Sequence, residues 1–430
     1  MRILVVSDTP WSKENSIGNS FYNIFEGIPD LEFADISCRT VTDLDPIVSA
    51  CFEISEKSLL KNLKDKRSPS GKKIDIQALK GCKISTEESN VKIFARKKRW
   101  IVLFWARDLI WKFGHWKSQE LLDFIDDFKP DLIFQPVYYS SYLNDIACFI
   151  KDYTGVPMLG YISDDNYTLR QFSLSPLYWI DRLYKRKKVK KTIEKCKILY
   201  VISDIQKREY EKVFTPPCKV LTKCADFTEP PQLKTSYNTP LQLVFTGNIG
   251  TNRWKSLAVI AQALQELNQN GTKAELRIYT ATPLTAKMQQ ALDIDGASYL
   301  MGTVPASEIP RIQSQADMLV HVEAMDLKNK LAVRQSFSTK LVDYFKAARP
   351  ILAVGPKDVA SIDHLLQNNC ALVADNAADL VVMLSDCLEN PKRLNTLAEN
   401  AFLCGKRHHN AAQMKEMLCA DLKKTVASRK

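Results

Sequence analysis

At 430 residues, with 45% hydrophobic and 25% charged residues, the chain is too long for one ordinary domain and has the apolar content for a large core. Its apolar runs are short, the most aromatic being WIVLFW at 100–105, so no bilayer-crossing helix is expected. The net charge of +11 favours anionic partners, while eleven cysteines without a CxxC or a metal-type Cys/His spacing argue against a disulfide framework or zinc site and for reduced thiols in the cytoplasm.

MRILVVSDTP at the start has an apolar stretch of only a strand's length that ends in Ser-Asp, and it reads as a first buried strand rather than a cleaved leader. Similar near-continuous apolar runs follow at 130–136, 156–164 and 197–204, each ending in polar loop residues, as strands covered on both faces do. Between them SQELLDFIDDFKP at 118–130 has helical apolar spacing and a proline stop, and SDIQKREYEKVF at 203–214 opens with a Ser-Asp cap. Residues 56–95 are polar, rich in lysine and without period, which predicts an insertion or mobile loop. Basic residues concentrate in RKKRW at 96–100 and in RLYKRKKVKK at 182–191, where seven of ten residues are basic. An anionic membrane surface and a solvated helix face fit that second stretch equally well.

TEPPQLKTSYNTP, from 228, has the composition of a linker, after which a second strand and helix series begins. The expected fold is therefore α/β, two Rossmann-like parallel-sheet domains. The first spans 1–230, the second 231–405, and a helix over 406–430 returns toward the first.

In open α/β sheets ligands lie beyond the carboxyl ends of the strands, so the loops following strands matter most. In FTGNIGTNRWKSL at 245–257, Gly247, Asn248 and Gly250 allow a tight turn, with Arg253 and Lys255 at the start of the next helix; a diphosphate cradle and a plain βα turn both fit. In VRQSFSTKLVDYFKAARPILAVGP at 333–356, a helix starting near Ser338 or Thr339 would turn its unpaired amides toward a ligand. Ser336, Ser338 and Thr339 would cap that helix or bind phosphate oxygens, and Lys340 adds charge. Asp343 lies one turn further on, placed either to accept hydrogen bonds from a ribose diol or to pair with Lys340 or Lys346.

These stretches, with PASEIPRIQSQADMLVHV between them, resemble the C-terminal nucleotide-sugar domain of retaining GT-B glycosyltransferases of family 4. The resemblance implies two domains facing each other across a cleft and transfer of a sugar from a nucleoside diphosphate sugar to a glycan or lipid-linked acceptor, with retention and without a metal or other cofactor. It implies Asp343 at the nucleotide ribose, Arg253 and Lys255 on the donor diphosphate, and Gln335 where the family carries its first acidic residue, near the donor sugar. Gly18 and Asn19 are its candidates for the loop facing donor and acceptor; Ser163, Asp164 and Asp165 stand where many members have a histidine, with Asp164 placed either to orient the acceptor hydroxyl or to cap the following turn. Glu323, in HVEAMD, is a partial substitute for the missing acid, though a surface role fits it better. A cytoplasmic, peripherally membrane-attached enzyme of polysaccharide biosynthesis is the setting implied.

Three rivals remain at this level. A sugar-nucleotide epimerase shares the architecture, and Gln335 fits a nucleotide-sugar-binding protein on a degenerate scaffold. The Asp-x-Asp triplets at 43–45 and 293–295 formally match a metal-dependent transferase but are short enough to arise by chance. Nucleic acid is not expected, for no zinc ligands, stacking signature or basic heptads accompany the charge.

Overall fold

The computed structural model describes residues 1–13, 15–79 and 101–428. The chain divides into two compact units, residues 1–221 with 415–430, and residues 222–414.

Among the described residues, unit 1 holds an eight-stranded sheet. Its strands are β1 (Arg2–Ser7), β2 (Glu32–Ser37), β3 (Val48–Ile54), β4 (Gly71–Lys73), β5 (Leu132–Pro136), β6 (Met158–Ile162), β7 (Ile198–Val201) and β8 (Cys218–Val220). Their order is β4-β3-β2-β1-β5-β6-β7-β8, parallel throughout except for the antiparallel edge strand β4. The helix Gln119–Phe128 shows why the sequence folds this way locally. Leu121, Phe124, Ile125 and Phe128 recur on one face and are buried, each contributing roughly 1.5–3 kcal/mol. Ser118 caps the start by accepting from the Leu121 amide, and Lys129 ends the helix in the left-handed region at φ 49°, just before Pro130.

The strands β2 and β3 carry polar residues that mask their apolar pattern. Asp35 is fully buried in β2, where it accepts from Ser7 Oγ at 2.8 Å and the Trp11 amide at 3.2 Å. Burial pushes its carboxyl up to about 7. Glu53 of β3 accepts from the Val41 amide at 2.9 Å. The stretch read as an insertion is in part regular structure: residues 56–79 form the helix Glu56–Lys64, β4 and the short helix Ile76–Leu79. A capping box between Ser55 and Ser58 starts the first of these helices, a local polar signal that no apolar period reveals. Residues 80–95 of that expected insertion, and RKKRW at 96–100, lie outside the described residues.

Unit 2 has a six-stranded parallel sheet in the order β11-β10-β9-β12-β13-β14 among the described residues. Its strands are β9 (Leu241–Thr246), β10 (Ala274–Tyr279), β11 (Ser298–Gly302), β12 (Met318–Val322), β13 (Ile351–Val354) and β14 (Leu372–Ala374). Leu243, Phe245, Leu276, Ile278, Val320 and Leu352 build its core against the helices Arg253–Leu267 and Ala377–Glu389. The chain passes to the opposite side of β9 when it enters β12, so a topological switch point falls between these two strands. Loops leaving neighbouring strands diverge there and open a crevice at the carboxyl ends.

Candidate functional site

At that switch point, the loops after β9 and β12 and the helix Lys340–Ala347 bring one group of charges together. Gly247, the first residue after β9, adopts φ 139°, and a side chain there would put its Cβ 3.3 Å from Lys340 Nζ. Glycine alone supplies both the conformation and the space. Lys340 Nζ lies 4.3 Å from the centroid of the Phe245 ring. Lys340 is half-buried, and desolvation dominates and lowers its ammonium to about 8, with Glu323 acting in the opposite direction.

Arg253, the first residue of the helix Arg253–Leu267, donates from Nε to Glu323 Oε2 at 3.1 Å. Glu323 directly follows β12, is 3% exposed, and has its other oxygen 3.5 Å from His321 Nε2. The surface role expected for this acid is therefore corrected: it is a buried counter-ion that fixes the Arg253 guanidinium. Burial, followed by the charges of Lys340 and Arg253, drives His321 far below its ordinary range and keeps it neutral. One buried carboxylate thus faces two cations, leaving an electropositive excess at the carboxyl edge of the sheet, where a diphosphate would be stabilised.

The helix Lys340–Ala347 begins within a residue or two of the position read from the sequence. Its capping differs, however: Thr339 makes no side-chain cap hydrogen bond, and the Ser338 amide donates to Ser361 Oγ at 2.9 Å. Asp343 pairs with neither Lys340 nor Lys346. Both its oxygens accept from Lys223 Nζ, at 2.6 and 2.8 Å. Lys223 is 120 residues upstream, a separation at which no helical spacing rule applies.

The other expected residues have surroundings of their own. Lys255 is exposed, 5.9 Å above the Trp254 ring, and its charge helps hold Asp326 below the usual carboxylate range. Burial opposes that shift and the hydrogen bonds from Asn329 and Asn252 outweigh it. Asn248 turns back on the loop, its Oδ1 accepting from the Gly250 amide at 2.6 Å. Gln335 is fully buried after the helix Leu327–Val333. In unit 1, Gly18 is buried and packs so closely that a Cβ would lie 2.1 Å from the Ser12 carbonyl oxygen, whereas Asn19 is exposed. Asp164 is exposed and its carbonyl accepts from Gln206 Nε2 at 3.0 Å. Its neighbour Asp165 is buried and accepts from Arg182 at 3.2 Å.

Three acids of the Asp-x-Asp triplets have local structural partners. Asp43 accepts from Ser12 Oγ, Asp45 from the Ile47 amide, and Asp293 closes the helix Ala286–Leu292. Among the described residues no group of three His, Cys, Asp or Glu is arranged to hold a metal ion. A cavity of about 300 Å³ in unit 2 lies elsewhere, lined by Gln242, Arg277, Tyr279, Glu308 and Arg311 among others, and shares no residue with the charged group.

A family model supplies the decisive comparison, matching residues 240–390 to glycosyl transferases group 1. The match covers residues 240–390, less than half of the chain. The matched stretch contains Gly247, Arg253, Glu323, Lys340 and Asp343. Over the full chain the fold is similar to that of solved GT-B proteins. HepE of Anabaena, solved in complex with UDP, is 11% identical with a TM-score of 0.62, covering 99% of this chain and 100% of its own. Sucrose-phosphate synthase of Thermosynechococcus elongatus is likewise 11% identical, at a TM-score of 0.61 with both chains fully covered. A glycosyltransferase of Rickettsia africae is 10% identical at 0.59, covering 99% of this chain and 98% of its own. Among curated protein sequences none matches the chain. At such identities the likeness establishes the fold, and the stretch that matches the family model contains the candidate site.

Proposed function

We propose that the protein is a glycosyltransferase that takes its sugar from a nucleoside diphosphate donor held by the group 1 domain and transfers it to a glycan or lipid-linked acceptor with retention. The observation that carries this reading is the gathering of Arg253 and Lys340 about one buried counter-ion, Glu323, with Gly247 leaving the space beside Lys340 Nζ open. Departure of a nucleoside diphosphate develops negative charge on the leaving phosphate. Fixed cations and the positive end of the helix Lys340–Ala347 stabilise that charge most where water is scarce.

In this reading Lys340 contacts a phosphate oxygen and regains the proton affinity that burial takes from it. Arg253, fixed by Glu323, presents its remaining N–H groups to the same diphosphate. Asp343 accepts from the ribose hydroxyls after exchanging them for Lys223. Charge stabilisation then comes from side chains and helix, and no metal ion is required. The fold-level likeness to HepE, which has been solved with UDP and with UDP-glucose, supports a uridine donor as the first to test.

One observation favours a second reading. The buried amide of Gln335 brings no charge to the donor sugar, as a nucleotide-sugar-binding protein without turnover would allow. Incubation with UDP-, GDP- and ADP-sugars and a mixture of lipid-linked and oligosaccharide acceptors, read as nucleoside diphosphate release, separates the two. Acceptor-dependent release that is lost in Arg253→Met supports transfer. Binding without release over the whole panel supports the second reading, and conversion of the donor to its epimer would instead assign an epimerase.

A further inference from the structure

We propose that unit 1 docks on the surface of a bilayer containing anionic headgroups, through two neighbouring helices that lie in the plane of the interface. The first is the helix Ile101–Phe113. Phe104, Arg107, Asp108 and Trp111 face the protein. On the opposite side Val102, Ala106, Leu109 and Phe113 recur at intervals of four, three and four, and all are exposed, Phe113 at 67%. A surface helix of a water-soluble protein normally carries charge on this face, so an apolar stripe here marks a contact surface.

The second is the helix Pro176–Glu194, joined to the first where Trp105 Nε1 donates to Asp181 Oδ1 at 3.0 Å. Leu177, Ile180, Leu183 and Tyr184 are exposed along its first half, and Leu174 just before it is 89% exposed. Its second half exposes Lys187, Lys190 and Lys191. The remaining basic residues of the stretch 182–191 are committed to the protein. Arg182 and Lys185 are buried on Asp165 and Asp181, Arg186 donates to the Tyr167 carbonyl, and Lys188 pairs with Asp145. Attraction by the basic run alone, as read from the sequence, is therefore halved, and apolar contact supplies the rest.

Charge selects the occupant. Glu194 is the one exposed acid on these two helices among the described residues, since Asp181 is buried and Asp108 half-buried. A second copy of the chain meeting this face across a two-fold axis would bring the same lysines against one another. A bilayer with anionic headgroups matches both features: apolar side chains enter below the headgroups and the lysines stay among them. Neither helix is long and apolar enough to cross a membrane, which fits an in-plane position. The inference uses unit 1 alone and is independent of the donor-site reading.

The test is flotation of the full chain with vesicles of phosphatidylcholine, with and without phosphatidylglycerol. Two variants accompany the wild type, Val102→Glu/Leu109→Glu/Phe113→Glu and Lys187→Gln/Lys190→Gln/Lys191→Gln. All six positions are exposed, and thermal unfolding checks that both variants fold. The wild type is expected to float with the anionic vesicles, the apolar variant to bind at least about tenfold less, and the lysine variant to lose roughly fivefold per lysine along with its preference for anionic lipid. Flotation of the apolar variant at the wild-type level overturns the proposal, as does a wild type that floats with neither vesicle. A wild-type dimer that the apolar variant disperses, without vesicle binding, makes the face a contact between copies and overturns it too.

Discussion

Replacing Lys340 by methionine should move stability and nucleotide affinity in opposite directions. The ammonium is lowered from an ordinary 10.5 to about 8, so folding without a ligand costs up to about 3 kcal/mol at neutral pH, and roughly 1–3 kcal/mol after allowing for the accessible part of the side chain. Methionine keeps the apolar stem against Phe245 and removes that cost. Part of the gain is offset because Glu323 loses a neighbouring cation while retaining Arg253. A net rise in stability of about 1–2 kcal/mol is expected, against a loss of about 1.5–3 kcal/mol in nucleoside diphosphate affinity, the worth of a charge-assisted hydrogen bond. Denaturant unfolding of the ligand-free protein and calorimetric titration with UDP, GDP and ADP measure the two terms. A destabilised variant that binds every nucleotide as tightly as the wild type would refute both the desolvation argument and the assignment of Lys340 to the diphosphate.

The same residue sets a pH dependence. Between about pH 8 and 10.5 the unfolded chain binds more protons at this lysine than the folded one, so wild-type stability should gain a contribution across that window that Lys340→Met lacks, while nucleotide affinity falls above pH 8 by at most about tenfold per unit. Asp35 has the opposite sign. With its carboxyl raised from 3.8 to about 7, the folded state binds the extra proton, and stability declines as pH rises through that interval; Asp35→Asn should remove the decline and gain about 2–4 kcal/mol at pH 8, read by denaturant titration. Asp343→Asn breaks a half-exposed ion pair worth at most about 1 kcal/mol, yet should weaken nucleotide binding at least about tenfold, whereas Lys223→Ala should strengthen it by freeing the carboxylate. Gly247→Ala should lose about 1–2 kcal/mol of stability from its left-handed φ and reduce affinity by crowding Lys340, both measurable by thermal shift with and without nucleotide.

The parallel strands are legible where burial on both faces leaves uninterrupted apolar runs, as in β1, β6 and β13. β2 and β3 are not, because Asp35 and Glu53 do structural work inside the sheet that a hydrophobic pattern cannot register. At the site, Gly247, Arg253 and Lys340 could be nominated from loop position alone. Glu323 reads from the sequence as a surface acid, whereas its burial follows from the side-by-side pairing of β12 with β9 and β13, which a linear reading does not contain. The Lys223–Asp343 pair was missed for the same reason, since only the folded unit brings residues 120 positions apart together. The run 182–191 within the helix Pro176–Glu194 is the converse case: several of its conspicuous basic charges are internal ion-pair partners.

Titration of wild-type protein and Arg253→Met with UDP, GDP and ADP tests the central claim most directly, because Arg253 joins the buried carboxylate to the proposed diphosphate position. At least one nucleoside diphosphate should bind the wild type and lose about tenfold or more in the variant. Equal affinity of both proteins for every nucleotide, or binding of none by the wild type, would contradict it.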